Sequence, residues 1–89
     1  MNWDYELSAD AVAALRRLGP SVAAKVIHYL DGRIRGAANP RLFGKPLRGR
    51  MKGLWRYRVE DYRLLCRLED RRFIVLVVEV DHRSRVYDD

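Results

Sequence analysis

Four arginines, a histidine and a tyrosine stand near the ends of apolar runs, where strand ends would bring them together. The run Phe73–Val78 empties into Val80-Asp81-His82-Arg83 and then Tyr87, while upstream Leu54–Val59 carries Arg56 and Arg58 two residues apart. In an extended strand successive side chains point to opposite faces. Arg56 and Arg58 then share a face with Leu54, and Trp55, Tyr57 and Val59 share the other. In Tyr62–Leu68 the set Tyr62, Leu64, Cys66 and Leu68 suits a core, which sends Arg63 to the same side as Arg56 and Arg58. A guanidinium is a planar fork that binds phosphate oxygens in pairs and keeps its charge at any working pH. Arg56, Arg58, Arg63 and Arg83 converging on one phosphate would stabilise the extra negative charge of a pentacoordinate phosphorane. RNA carries its own nucleophile, the 2′-hydroxyl, so this chemistry asks for no metal, cofactor or protein nucleophile. Tyr87 could stack on a base or donate a proton to the leaving oxygen; it could equally cap the core with its ring. Histidine is the side chain suited to proton transfer at physiological pH, which makes His82 a candidate general base, although a histidine at a strand end also serves as a structural hydrogen-bonder. His28, inside a helical pattern, reads as structural.

The charge balance supports an anionic partner. The 89 residues hold 18 Lys and Arg against 12 Asp and Glu, a net charge of +6, with an isoelectric point near 10.0, and such a surface attracts nucleic acid. From Gly32 to Val59 there is no acidic residue, yet half of the basic residues lie there. Within that stretch Lys45, Arg48, Arg50 and Lys52 are assigned to RNA or ribosome contact. The length fits one small domain, residues 1–89, and an apolar fraction of 48% suffices for a modest core. Cys66 is the only cysteine and sits in Leu64-Leu65-Cys66-Arg67-Leu68, which marks it as a small core residue in a reducing compartment rather than a nucleophile. No apolar run approaches the ~20 residues of a membrane span, and the N-terminus lacks the pattern of a signal peptide. A cytoplasmic protein with no membrane partner is expected. The two histidines and one cysteine have no metal-ligand spacing, and no phosphate-binding glycine motif occurs.

The elements that must hold these residues follow from periodicity. Asn2–Leu7 alternates as a short strand. Ser8 offers an N-cap with Asp10 in the first turn, and Ala11, Val12, Leu15 and Leu18 recur at helical spacing. Gly19-Pro20 closes this helix and opens a second, from about Ser21 to Arg35. Gly36–Gly53 is rich in glycine and proline and reads as a long loop, functional or mobile. Leu54–Val59, Tyr62–Leu68 and Phe73–Val80 form three strands joined by Glu60-Asp61 and Glu69–Arg72. The third is apolar on both faces at its centre, as in a strand covered on two sides. A last short strand or extended tail is expected over Arg83–Tyr87. The class is α+β: a short N-terminal strand, a helical hairpin, then a mostly antiparallel sheet of three to four strands with the helices on one face.

Lys45-Pro46-Leu47-Arg48-Gly49, Gly53–Val59, Asp61-Tyr62-Arg63 and Val80-Asp81-His82-Arg83 with Val86-Tyr87 resemble the RelE branch of the RelE/ParE toxin superfamily. The family supplies the toxin half of bacterial type II toxin–antitoxin modules. The resemblance implies a microbial-RNase-like fold, a RelB-like antitoxin partner, and ribosome-dependent, metal-independent cleavage of mRNA in the A site by 2′-hydroxyl attack, with ribosomal RNA as a further contact. It also implies that Arg63 and Arg83 are catalytic arginines and Tyr87 the C-terminal tyrosine. Arg56 and Arg58 stand where the family carries two lysines of one strand; a lysine can become a base by a lowered pKa, an arginine essentially cannot. His82 is then the residue that could inherit that role. Two other readings stay open: a ParE-like, non-enzymatic inhibitor of DNA gyrase, and an RNA-binding module without cleavage.

Overall fold

A computed structural model describes residues 2–82. Strand β1 (Asp4–Leu7) leads into helix α1 (Ala9–Leu18), and helix α2 (Pro20–Tyr29) follows after one residue. The Ser8 hydroxyl accepts a hydrogen bond from the Ala11 backbone N–H at 3.0 Å and donates one to the Val78 carbonyl at 3.0 Å. One side chain thus caps α1 and pins its start to the far end of the sequence. Gly19 ends α1 with φ near 101°, a left-handed value that suits glycine, and Pro20 opens α2. Beyond Tyr29 the helix widens into a π-helical turn, Leu30–Ile34, instead of continuing regularly to Arg35 as expected. Val26, Leu30 and Ile34 still form one fully buried stripe.

The described residues form a sheet of five strands in the order β1-β5-β4-β3-β2, with β2 Lys45–Pro46, β3 Trp55–Val59, β4 Tyr62–Glu69 and β5 Ile74–His82. The pairs β2–β3, β3–β4 and β4–β5 are antiparallel, and β1 lies parallel to β5. The helices cover one face. There Tyr57, Leu64, Cys66, Val75, Val77 and Val80 pack with Ala11, Leu15, Val26, Leu30 and Ile34 in one core. The expected α+β order therefore holds, with one strand more in the sheet. The expected strand over Arg83–Tyr87 lies outside the described residues.

Two expectations change. The register of β4 against β5 jumps from Leu65–Glu79 to Cys66–Val77, so Val78 is the extra residue of a β-bulge. The buried positions accordingly shift from Val75 and Val77 to Val80. The unbroken apolar run reflects this change of phase in part, rather than a strand covered on both sides. The Gly36–Gly53 segment is also not a bare loop. It contains a 3-10 turn (Pro40–Phe43), the short strand β2 (Lys45–Pro46) on the edge of β3, and a second 3-10 turn (Gly49–Met51). Pro40 and Leu47 are buried, and the Tyr57 hydroxyl donates to the Pro40 carbonyl at 2.8 Å. At Gly44 a Cβ would stand 2.9 Å from the Tyr57 ring, so only glycine permits this approach of the segment to β3.

Candidate functional site

On the sheet face away from the helices, register stacks the charged residues in two rows. Arg58 lies opposite Arg63, and Arg63 lies opposite Asp81. Beside them Lys45 lies opposite Arg56, Arg56 opposite Leu65, and Leu65 opposite Glu79. Cross-strand neighbours stand about 5 Å apart at Cβ, so like charges placed directly opposite repel and destabilise the pair. Arg58 and Arg63 are in that position. The arrangement gives one face of three adjacent strands a concentration of positive charge suited to an anion.

The face is less open than alternation alone implies. Arg58 is exposed and Arg56 half-buried, but Arg63 is only 7% exposed and Leu65 beside it 4%. Arg63 is the one charged side chain fully in the interior among the described residues. Acidic neighbours are also closer than expected: Asp81 and Glu79 project onto the same face through the antiparallel pairing. Neither stands out in sequence, because opposition across strands depends on a register that local spacing does not reveal. Asp81 is suited to hold the Arg63 guanidinium in place.

The candidate residues divide between places. Lys45, Arg56 and Arg58 line one groove of about 310 Å³ with Leu42, Phe43 and Gly44. Arg48 lines a different one with Lys45, Pro46 and Leu47. Arg50 and Lys52 are exposed around the Gly49–Met51 turn. His82 lies opposite Tyr62, which lies opposite the buried Val59, so His82 projects on the helical side, away from Arg58 and Arg63. Its ring meets the Tyr62 ring edge-on at 5.4 Å. Arg83 and Tyr87 lie outside the described residues. His28 is exposed on α2 and, with Lys25, Arg33 and Arg58, borders a groove of about 410 Å³ between α2 and the β3–β4 turn.

Several ionisable groups serve the scaffold. Burial pushes the Cys66 thiol well up, which leaves it protonated and inert, as a core cysteine should be. Burial likewise raises the Tyr57 hydroxyl, which remains a hydrogen-bond donor. Tyr5 is pushed up to about 12, first by burial and then by its 2.6 Å hydrogen bond to Asp31. Arg41 is spent on structure: it grips Asp70 with two 2.9 Å bonds and lies over the Trp3 and Trp55 rings. No group of three or more His, Cys, Asp or Glu among the described residues is placed to hold a metal ion, and no helix among them is long and apolar enough to cross a membrane.

A two-helix layer on a bulged sheet, with an arginine-rich opposite face, is the α+β architecture that the family resemblance implies. The family model described as "ParE toxin of type II toxin-antitoxin system, parDE" matches residues 5–87. The chain is 32% identical over 87 residues to toxin RelG of Mycobacterium tuberculosis, covering 98% of each sequence. It is 33% identical over 85 residues to toxin RelE of the same organism, covering 93% of this chain and 86% of that one. Among solved structures, the toxin–antitoxin complex RelBE2 from M. tuberculosis superimposes with a TM-score of 0.82 at 31% identity, over 93% of this chain and 100% of the matched chain. The chain belongs to the RelE/ParE toxin superfamily of type II toxin–antitoxin systems.

Proposed function

We propose that this toxin is a ribosome-dependent endoribonuclease that cuts mRNA in the A site, using arginines and no metal. The observation that carries the reading is the row Arg58–Arg63–Asp81 beside the Lys45–Arg56 groove. Arg58 stands directly opposite Arg63, whose other cross-strand neighbour is Asp81, so an anion beside the exposed Arg58 relieves the repulsion that remains. A scissile phosphate is such an anion, and its charge grows in the transition state. Arg56 and Arg58 line the groove, Arg63 supports them from within, and Arg83 and Tyr87 complete the set as the family resemblance implies. The 2′-hydroxyl attacks the adjacent phosphorus, the P–O5′ bond breaks as a 2′,3′-cyclic phosphate forms, and the leaving 5′-oxygen takes a proton from Tyr87 or from water. None of the arginines can take the 2′-proton, and His82 projects on the other side of the sheet. The proton goes to solvent or to a group of the RNA, and the ribosome contributes by holding the RNA in line. The partner in the cell is a RelB-like antitoxin, in keeping with the related toxin solved as RelBE2, and both act in the cytoplasm.

The test is single-turnover cleavage on programmed ribosomes. Arg58→Ala is expected to lower the rate about a hundredfold, on the order of 3 kcal/mol of transition-state stabilisation. His82→Gln is expected to change it less than about fivefold from about pH 5.5 to about 8.5, a span around the ordinary histidine value. A hundredfold loss for His82→Gln, with the low-pH limb gone, assigns the base to His82 instead. The family model is named for ParE, so gyrase inhibition is the second reading. Wild-type toxin that leaves programmed ribosomes uncut while stalling gyrase on DNA establishes that reading.

A further inference from the structure

Leu42, 76% exposed, and Phe43, 39% exposed, are the two large apolar side chains left outside among the described residues. Scattered surface apolar groups are ordinary, so exposure by itself decides nothing. Their setting differs. Phe43 ends the 3-10 turn Pro40–Phe43, whose backbone is anchored on both sides. The Asn39 side chain accepts from the Arg41 N–H at 3.1 Å, Pro40 is tied to Tyr57, Arg41 to Asp70, and Gly44 is seated against the Tyr57 ring. The Arg33 guanidinium lies 5.6 Å from the centre of the Phe43 ring, a cation–π contact that steadies it. The groove that Phe43 borders is otherwise lined by Leu42, Gly44, Lys45, Arg56 and Arg58, with no acidic side chain.

We propose that Phe43 is a stacking platform for one nucleobase of a single RNA strand, whose flanking phosphates lie against Lys45, Arg56 and Arg58. The proposal rests on the RNA-directed reading above and adds a base contact to it. Recognition of single-stranded nucleic acid combines cations that follow the backbone with rigid aromatic faces that take the bases, and any base will serve because each has a π-face. Here both components share one groove, and the aromatic one is fixed before the ligand arrives, so little ordering entropy opposes binding. The competing occupant is an apolar segment of a protein partner. It would use Leu42 at least as much as Phe43, because Leu42 is the more exposed, and apolar burial is indifferent to a π-face.

The experiment uses the full-length toxin freed of its antitoxin. Affinity is measured for a short single-stranded RNA and for an abasic ribose-phosphate strand of equal length, and cleavage is followed on programmed ribosomes. Phe43→Ala and Phe43→Leu are expected to weaken RNA binding about tenfold (~1.4 kcal/mol) and abasic binding less than about twofold. Phe43→Trp keeps the wild-type preference for RNA, and Leu42→Ala changes either affinity less than about twofold. A wild-type protein that binds both strands alike overturns the proposal, as does a Phe43→Ala variant that keeps the preference. Wild-type behaviour of Phe43→Leu together with lost antitoxin affinity in Leu42→Ala overturns it in favour of protein docking. If wild type cuts ribosome-bound mRNA and Phe43→Ala cuts it with unchanged KM, the stacking role falls and the nuclease reading stands. If wild type prefers RNA through Phe43 yet cuts nothing, the nuclease reading falls and the platform stands.

Discussion

The two faces of strands β3, β4 and β5 are built from alternate residues of the same segments and answer to different physics. On the helical face Tyr57, Leu64 and Val80 lie in one cross-strand row, all fully buried. One residue along, Arg58, Arg63 and Asp81 form the next row on the opposite face. The first row is chosen for volume and pays no electrostatic penalty. The second sets two arginines opposite each other with Asp81 on the far side of Arg63, so charge rather than volume governs it. A step of one residue therefore separates the row that keeps the protein folded from the row proposed to act on RNA, and the two should fail separately.

The sharpest test of that separation is Tyr57→Ala against Arg58→Ala. Removing the buried ring should cost about 3–5 kcal/mol in urea unfolding, with activity falling only as the folded fraction falls. Removing the exposed arginine should leave stability within about 0.5 kcal/mol. Equal stabilities for the two variants would erase the distinction between the faces. Arg63 should break the comparison from within, since it lies on the charged face yet is as buried as the core. Arg63→Ala is expected to cost about 1–3 kcal/mol, because Asp81 keeps its charge and loses the cation set opposite it, and also to abolish cleavage. Arg63→Lys should recover part of the stability and little of the rate, as a point charge replaces a fork.

The smallest expected effect lies at the anchor of the 40–43 turn. The hydrogen bonds from Arg41 hold the Asp70 carboxyl below its ordinary value of 3.8. A carboxyl whose folded value is depressed stabilises fully above the unfolded value, and the gain is lost as pH falls through the lower folded value. The pair is substantially exposed, so about 0.5–1 kcal/mol is expected near neutrality after screening. The stability gap between wild type and Arg41→Ala should be present at about pH 7 and shrink markedly by about pH 3. A gap that does not change with pH would move the role of Arg41 from this ion pair to its contacts with Trp3 and Trp55.

Local signals carried much of this structure. Ser8 as a cap, the Gly19-Pro20 break and the two-residue period of β3 and β4 are short-range physics, and each appears where the spacing predicts. The same period placed Arg56, Arg58 and Arg63 on one face. What the spacing concealed depends on partners far along the chain. The Val78 bulge is defined only against β4. Asp81 and Glu79 meet the arginine face only through antiparallel register. His82, two residues beyond Val80, falls on the helical side for the same reason. The charge of Arg41 counted toward a basic stretch but is neutralised by Asp70, 29 residues on. Phe43 carried no periodic signal, because a single side chain in an irregular segment belongs to no repeating pattern.

The parallel pairing of β1 with β5 also sets a schedule. Among the described residues Asp4–Leu7 has its only strand partner in residues 74–77, so this strand leaves a ribosome long before its partner does. The Ser8 hydroxyl can cap Ala11 at once, but its bond to the Val78 carbonyl waits for β5. The α1–α2 hairpin can form early from local contacts, but its apolar side has no sheet to cover it until β5 emerges, and pairing over such separations is slow. Through most of its synthesis the chain therefore lacks the register that sets Arg58 opposite Arg63 and Arg63 opposite Asp81. The arginine row is assembled last, within reach of whatever binds the emerging helices first.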